Sequence, residues 1–286
     1  MVIGTYKSLH IIDSKGKWKS MLTVPDEADP EKQLGDIWDI AVSSEGYILV
    51  LDSTKYVKKY VKVFTNEGKY HSCFSTLTAN DDPGTRVSLR FITIDKEGRV
   101  LVGDRFRGII TLHSCPDGEI VNTMKYEWNP TYKGSISVNS KEQILHHFTP
   151  TGELGSRVEA IDYTGDEVFS FLPQIEKNIT DRKVCPGGIV CDTHDNIYVA
   201  MCSTLKDRTG HVHKHSLTGE FMECIVDGLH HPLGLSITTD NSSLVIANDN
   251  SVLVYSLNTG EPCVPPEYKN TGTEQGACGV TLDHPQ

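Results

Sequence analysis

The chain has 286 residues, 38% of them hydrophobic and 23% charged, and a formal net charge of −11. No apolar run approaches the ~18 residues that span a bilayer, and the first residues lack the basic-then-apolar order of a secretory leader, so no membrane partner and a cytoplasmic location are expected. The acidic balance weighs against a general nucleic-acid binder but leaves room for a local basic patch.

Residues 1–21 read as the later strands of a repeat unit, turning at Asp13-Ser14-Lys15-Gly16. A complete unit follows. Ile37 to Val42 is its innermost strand, Ser44-Glu45-Gly46 a turn, Tyr47 to Asp52 the second strand, Lys59 to Phe64 the third, and Asn66-Glu67-Gly68 the turn into the outer strand. Glycine in such turns takes the positive φ that hairpins demand. The phrase recurs from Ile92, Ile136, Ile189 and Leu235, and partially from Val280, at spacings of 44 to 53 residues. The copy around Ile144 to Phe148 is the most degenerate. No segment keeps a 3.6-residue apolar spacing. A period in this range, filled only with strand signals, predicts an all-β chain: a closed six-bladed β-propeller with four antiparallel strands per blade. Neighbouring blades bury each other's faces, so 1–286 is read as a single domain. The C-terminal residues Gly279 to Asp283 supply the innermost strand missing at the N-terminus and close the ring.

The pattern apolar-apolar-Asp, Gly-x-Ile/Leu-x-Val-x-Asp, Val-x-Val-Phe and Gly resembles the NHL repeat. It is clearest from Ile40 to Phe64, from Ile92 to Gly118 and from Gly187 to Gly219, with Pro-x-Gly lead-ins at Pro186-Gly187-Gly188 and Pro232-Leu233-Gly234. The Asn-His-Arg-Val stretch of that family is largely lost; Asp104-Arg105 and Asn248-Asp249-Asn250 echo it. The resemblance implies the C-terminal domain of a tripartite-motif (TRIM) ubiquitin ligase, which selects a protein or RNA target. The chain would then be a fragment of a larger protein and carry no ligase chemistry of its own, since the Cys/His pairs of a RING and the heptads of a coiled coil are absent from this sequence.

Eight cysteines, Cys73, Cys115, Cys185, Cys191, Cys202, Cys224, Cys263 and Cys278, form no C-x-x-C pair. Reduced thiols are expected rather than zinc ligands or disulfides. Asn178-Ile179-Thr180 and Asn241-Ser242-Ser243 are glycosylation patterns too short to change that reading.

Strand polarity divides the loops between two ends of the blades. One end carries Lys55, Tyr56, Lys58, Lys59, Arg105, Phe106, Arg107, Lys206 and Arg208; the other carries Glu45, Glu67, Glu97, Asp117, Glu119, Glu142, Asp166, Asp195 and Glu220. Cations beside aromatics serve single-stranded RNA by phosphate contact and stacking, or an acidic peptide. Asp26, Glu27, Asp29, Glu31 and Asp36 lie at the basic end and oppose phosphate, which places a protein partner before RNA. Residues leading into the innermost strands, Asp36, Trp38, Arg90, Lys133, His231 and Cys278, line the expected channel mouth. Trp38 and Arg90 are of the types that anchor interfaces.

His211, His213 and His215 alternate on one strand and so share a side, but positions two apart lie nearly 7 Å from each other, too far to converge on one ion without bending. No metal or cofactor is expected. A metal-dependent hydrolase of this shape needs several carboxylates at the inner strand starts, where only Asp36 or Asp39 would serve. No G-x-S-x-G elbow or P-loop is present. The expectation is a monomeric, non-catalytic recognition module.

Overall fold

Val, Ile and Leu in short alternating or continuous runs between turn residues favour pleated, half-buried backbone, and all regular elements among the described residues are β-strands. The computed structural model describes residues 2–4, 9–12, 18–21, 34–52, 60–82, 84–126, 135–148, 157–173, 184–203, 209–248, 251–258 and 279–281. In chain order the strands are β1 (Val2–Gly4), β2 (Leu9–Ile12), β3 (Trp18–Met21), β4 (Ile37–Val42), β5 (Ile48–Asp52), β6 (Tyr60–Phe64), β7 (Tyr70–Ser75), β8 (Leu89–Ile94), β9 (Val100–Asp104), β10 (Ile109–His113) and β11 (Ile120–Lys125). They continue as β12 (Ile136–Val138), β13 (Ile144–Phe148), β14 (Arg157–Ile161), β15 (Glu167–Phe171), β16 (Val184–Cys191), β17 (Ile197–Ser203), β18 (Thr209–His215), β19 (Phe221–His230), β20 (Gly234–Ile237), β21 (Ser243–Asn248), β22 (Ser251–Ser256) and β23 (Gly279–Thr281).

They fall into two compact units. Met1–Tyr126 with Cys278–Gln286 holds the sheets β23-β1-β2-β3, β4-β5-β6-β7 and β8-β9-β10-β11. Glu127–Ala277 holds β12-β13-β14-β15, β16-β17-β18-β19 and β20-β21-β22. Every pairing is antiparallel, and the sheets are the blades of a β-propeller. The six four-stranded blades expected from the sequence are corrected to five, because the last sheet has three strands among the described residues. The C-terminal strand does pair with the N-terminal one: β23 lies against β1, with Thr281 opposite Val2 and Gly279 opposite Gly4.

Each unit is held by apolar contact between successive sheets. In the first, Leu49, Leu51, Val61 and Val63 meet Ile92, Val100 and Val102. The opposite face of the same sheet, Ile40, Ile48, Val50 and Phe64, meets Val2, Leu9 and Ile11. In the second, Leu145, Val158 and Ala160 meet Ile197, Val199 and Met201, while Tyr198, Ala200 and Val212 meet Leu244 and Ile246. A sheet packed on both sides has second strands buried at every position, as β5, β9 and β17 are, which is why their sequences read as continuous apolar runs.

Polar side chains tie the frame at recurring places. In three sheets the residue ending the second strand accepts an N–H from the approach to the innermost strand: Asp52 from Gly35 (2.8 Å), Asp104 from Ser88 (3.0 Å) and Asn248 from His230 (2.9 Å). Asp52 also holds the ammonium of Lys62, both side chains fully buried; removing one member of such a pair costs about 3–5 kcal/mol. The first turns are closed by side-chain acceptors: Asp95 takes the N–H of Glu97 and Arg99, Asn139 that of Lys141 and Gln143, and Asp192 that of His194 and Asn196. Cys73, Cys115 and Cys191 are free thiols, and burial pushes that of Cys191 up to about 12. Among the described residues no helix is long and apolar enough to cross a membrane.

Candidate functional site

Two equivalent irregularities shape the first unit. The ladder between β4 and β5 slips between Ile37 and Asp39, and that between β8 and β9 slips between Leu89 and Phe91. The residues left out of the pairing are Trp38 and Arg90. A bulge frees one side chain from the strict alternation of the strand and re-aims it. Here the two freed side chains meet: the Arg90 guanidinium lies over the Trp38 ring, 4.0 Å from its centroid, a cation–π arrangement.

Asp39 joins the two bulged strands. One of its carboxylate oxygens accepts the N–H of Ile92, across the blade boundary, at 2.9 Å, and the other accepts that of Ile40 at 2.9 Å. Burial raises its pKa to about 7, against the pull of both N–H donors. Ser135 plays the same part in the second unit, accepting the N–H of Ile189 at 2.8 Å. The residue that the sequence offered as a metal carboxylate is therefore a latch between blades. Its signal was its position one residue before the repeating apolar phrase, the place Ser135 also holds.

The turn from β9 to β10 brings Arg105 and Phe106 to the same neighbourhood. The Arg105 N–H donates to Ser88 O at 2.9 Å, two residues before Arg90. Asp104, 1% exposed, pins the turn by accepting the N–H groups of Ser88 and Phe106 (3.0 and 2.9 Å) and the Arg107 Nε–H (2.6 Å). Phe106 is left 56% exposed, with the Arg86 guanidinium 6.0 Å from its ring centroid. Burial lowers the pKa of Arg90, and the nearby charge of Arg105 lowers it further.

The structure thus brings together Trp38, Arg90 and Arg105, with Phe106 exposed on the turn that carries Arg105. Arg107 is engaged elsewhere. Besides Asp104 it bonds Asp81 at 2.6 Å and Thr76 O at 3.0 Å, and its side chain is 10% exposed. His231 lies in the second unit, between β19 and β20, in the left-handed region at φ 54°. Lys55, Tyr56, Lys58, Lys59, Lys133, Lys206 and Arg208 lie outside the described residues.

His211, His213 and His215 share one side of β18 as their alternation implies. The first two rings stack at 4.3 Å, the second pair is 6.1 Å apart, and Phe221 packs edge-on to His213 at 5.0 Å. Among the described residues no three His, Cys, Asp or Glu side chains come together as a metal-binding group.

No protein-family model matches the chain, and no curated protein matches it. Solved structures do. A protein of unknown function from Bacteroides caccae is 14% identical with a TM-score of 0.69, over 98% of this chain and 97% of that one. A catalytically inactive variant of virginiamycin B lyase from Staphylococcus aureus, solved with quinupristin, is 13% identical with a TM-score of 0.58, over 97% and 83%. Kuenenia stuttgartiensis hydrazine synthase is 12% identical with a TM-score of 0.57, over 88% and 71%. At such identities the likeness is one of fold.

Proposed function

We propose that this chain is a recognition module that captures a protein partner at the end of the first unit bearing Trp38, Arg90, Arg105 and Phe106. The NHL-like repeat gives that role its setting: the target-selecting domain of a TRIM-type ubiquitin ligase, with no catalytic step of its own. The observation that carries the reading is Phe106. A large apolar ring stands exposed on a turn that Asp104 and Arg107 hold rigid. A pre-ordered aromatic anchor loses little entropy on binding and is the kind of group that dominates interface energies. Single-stranded RNA, the other ligand the sequence allows, has one cation fewer to use, since Arg107 is spent on Asp81 and Asp104.

The test is selection of short random peptides on the purified chain, followed by affinity measurement. Acidic peptides with an apolar residue are expected. Phe106→Ala should weaken them at least tenfold with the melting temperature unchanged, because truncating an exposed ring alters stability by only ~0.5 kcal/mol. Enrichment of no peptide, equal binding by Phe106→Ala, or tighter and steeply salt-dependent binding of oligouridine would refute the reading.

A further inference from the structure

Most charged groups buried in this frame have a partner. Lys62 has Asp52, Arg99 has Asp95, and Arg107 has Asp81 and Asp104. Arg90 and Arg105 do not follow the rule. Among the described residues neither makes a hydrogen bond through its side chain or an ion pair with a carboxylate, and the Nε of each is buried without an acceptor. Asp39, on the strand next to Arg90, is no counter-ion, since its oxygens are taken by backbone N–H groups. Two like charges are thus held side by side in a protein whose net charge is −11, one of them against an indole face.

This arrangement is unfavourable unless something else completes it. Buried donors without acceptors cost stability, and neighbouring cations repel. With Nε turned inward, the Nη nitrogens are the donors left for a ligand. Two neighbouring guanidinium groups, one of them against an aromatic wall, match a planar carboxylate attached to an apolar body. From this geometry we infer that Arg90 and Arg105 form a carboxylate-binding site, with Trp38 as its apolar wall. The inference rests on the recognition role above and names the chemistry recognised: a carboxylate, whether on an acidic side chain, on a peptide C-terminus or on a small organic acid. The net charge of −11 disfavours a polyanion in its place.

Glutarate is the probe, titrated against chloride at matched ionic strength. The readouts are calorimetry and the guanidinium nitrogen resonances of Arg90 and Arg105. The expected result is saturable binding that shifts both arginines together, falls at least tenfold in Arg90→Gln and in Arg105→Gln, and is not restored by Arg90→Lys, which keeps the charge but not the fork. Acetyl-capped peptides ending in a free or an amidated C-terminus then separate the sources. No saturable shift in the native protein, shifts confined to one arginine, or inorganic phosphate binding more tightly than glutarate would overturn the inference. Phe106→Ala separates this inference from its parent reading: that change should abolish peptide capture and leave both arginines shifting with glutarate. Loss of glutarate binding in a native chain that still captures peptides through Phe106 would sink the carboxylate site alone.

Discussion

Asp39 shows how one side chain can serve the frame and be read as chemistry. A carboxylate at an inner strand start looks like a ligand in a linear sequence, yet its two oxygens are consumed by the N–H groups of Ile40 and Ile92. Its raised pKa has a consequence for stability. Between the ordinary value of 3.8 and about 7 the folded chain binds a proton that the unfolded chain does not, so this group favours folding at lower pH and loses that contribution as pH rises to 7. Asp39→Ser retains an acceptor, as Ser135 does for Ile189, and removes the titration. The melting temperature of Asp39→Ser relative to the native chain should then rise as pH goes from 4 to 7, as the native chain alone loses the Asp39 contribution; a difference independent of pH would contradict the assignment.

Strands pack here through repeated close approaches that only small residues permit. A Cβ on Gly103 would fall 1.6 Å from Cε2 of the buried Phe91 ring. Gly103→Ala should therefore destabilise the chain by about 3 kcal/mol, at the upper end of overpacking costs, and by much less in a Phe91→Leu background, where the ring is gone. Urea unfolding of the four-member cycle measures the coupling; additive costs would show that the two residues do not share the space. A second device occurs once in each unit. Phe74 packs against His113, ring centroids 4.9 Å apart and tilted, beside Gly118, and Phe171 packs in the same way against His215 at 4.7 Å beside Gly219. In both, the histidine Nδ1 bonds the glycine carbonyl, at 3.0 and 3.2 Å. The glycines were legible as turn residues, and their φ values of 75° and 87° agree. That the same glycines make room for an aromatic ring of the preceding sheet was not, because that ring stands more than forty residues away in sequence.

For the molecule as a whole, buried histidines oppose Asp39. Burial lowers the pKa of His10, His113 and His215, and that of His147 to about 3, with the charge of His146 contributing. Each binds its proton less tightly in the folded chain than in the unfolded one, which takes up a proton below about 6.5, so its contribution is present at neutral pH and lost on acidification. Among the described residues these four histidines act in this direction, against Asp39. The melting temperature should fall between pH 7 and pH 5, measured by calorimetry; a rise would mean that Asp39 or groups outside the described residues dominate.

The repeating phrase at Ile40, Ile92, Ile136, Ile189 and Leu235 was sufficient to fix an all-strand propeller, its turn positions and the pairing of its tail with its head, since alternation and turn chemistry are local properties that survive in a linear string. It was silent on the bulges. Whether Trp38 and Arg90 drop out of register depends on how each innermost strand meets its neighbour, and a slip of one residue leaves no mark in composition. Partner choice among charges was equally hidden: Arg105 and Arg107 look alike two positions apart, yet one is bound by Asp81 and Asp104 while the other keeps its charge beside Arg90. Only the folded arrangement settles which is which, because ion pairing is decided by distance through space and not along the chain.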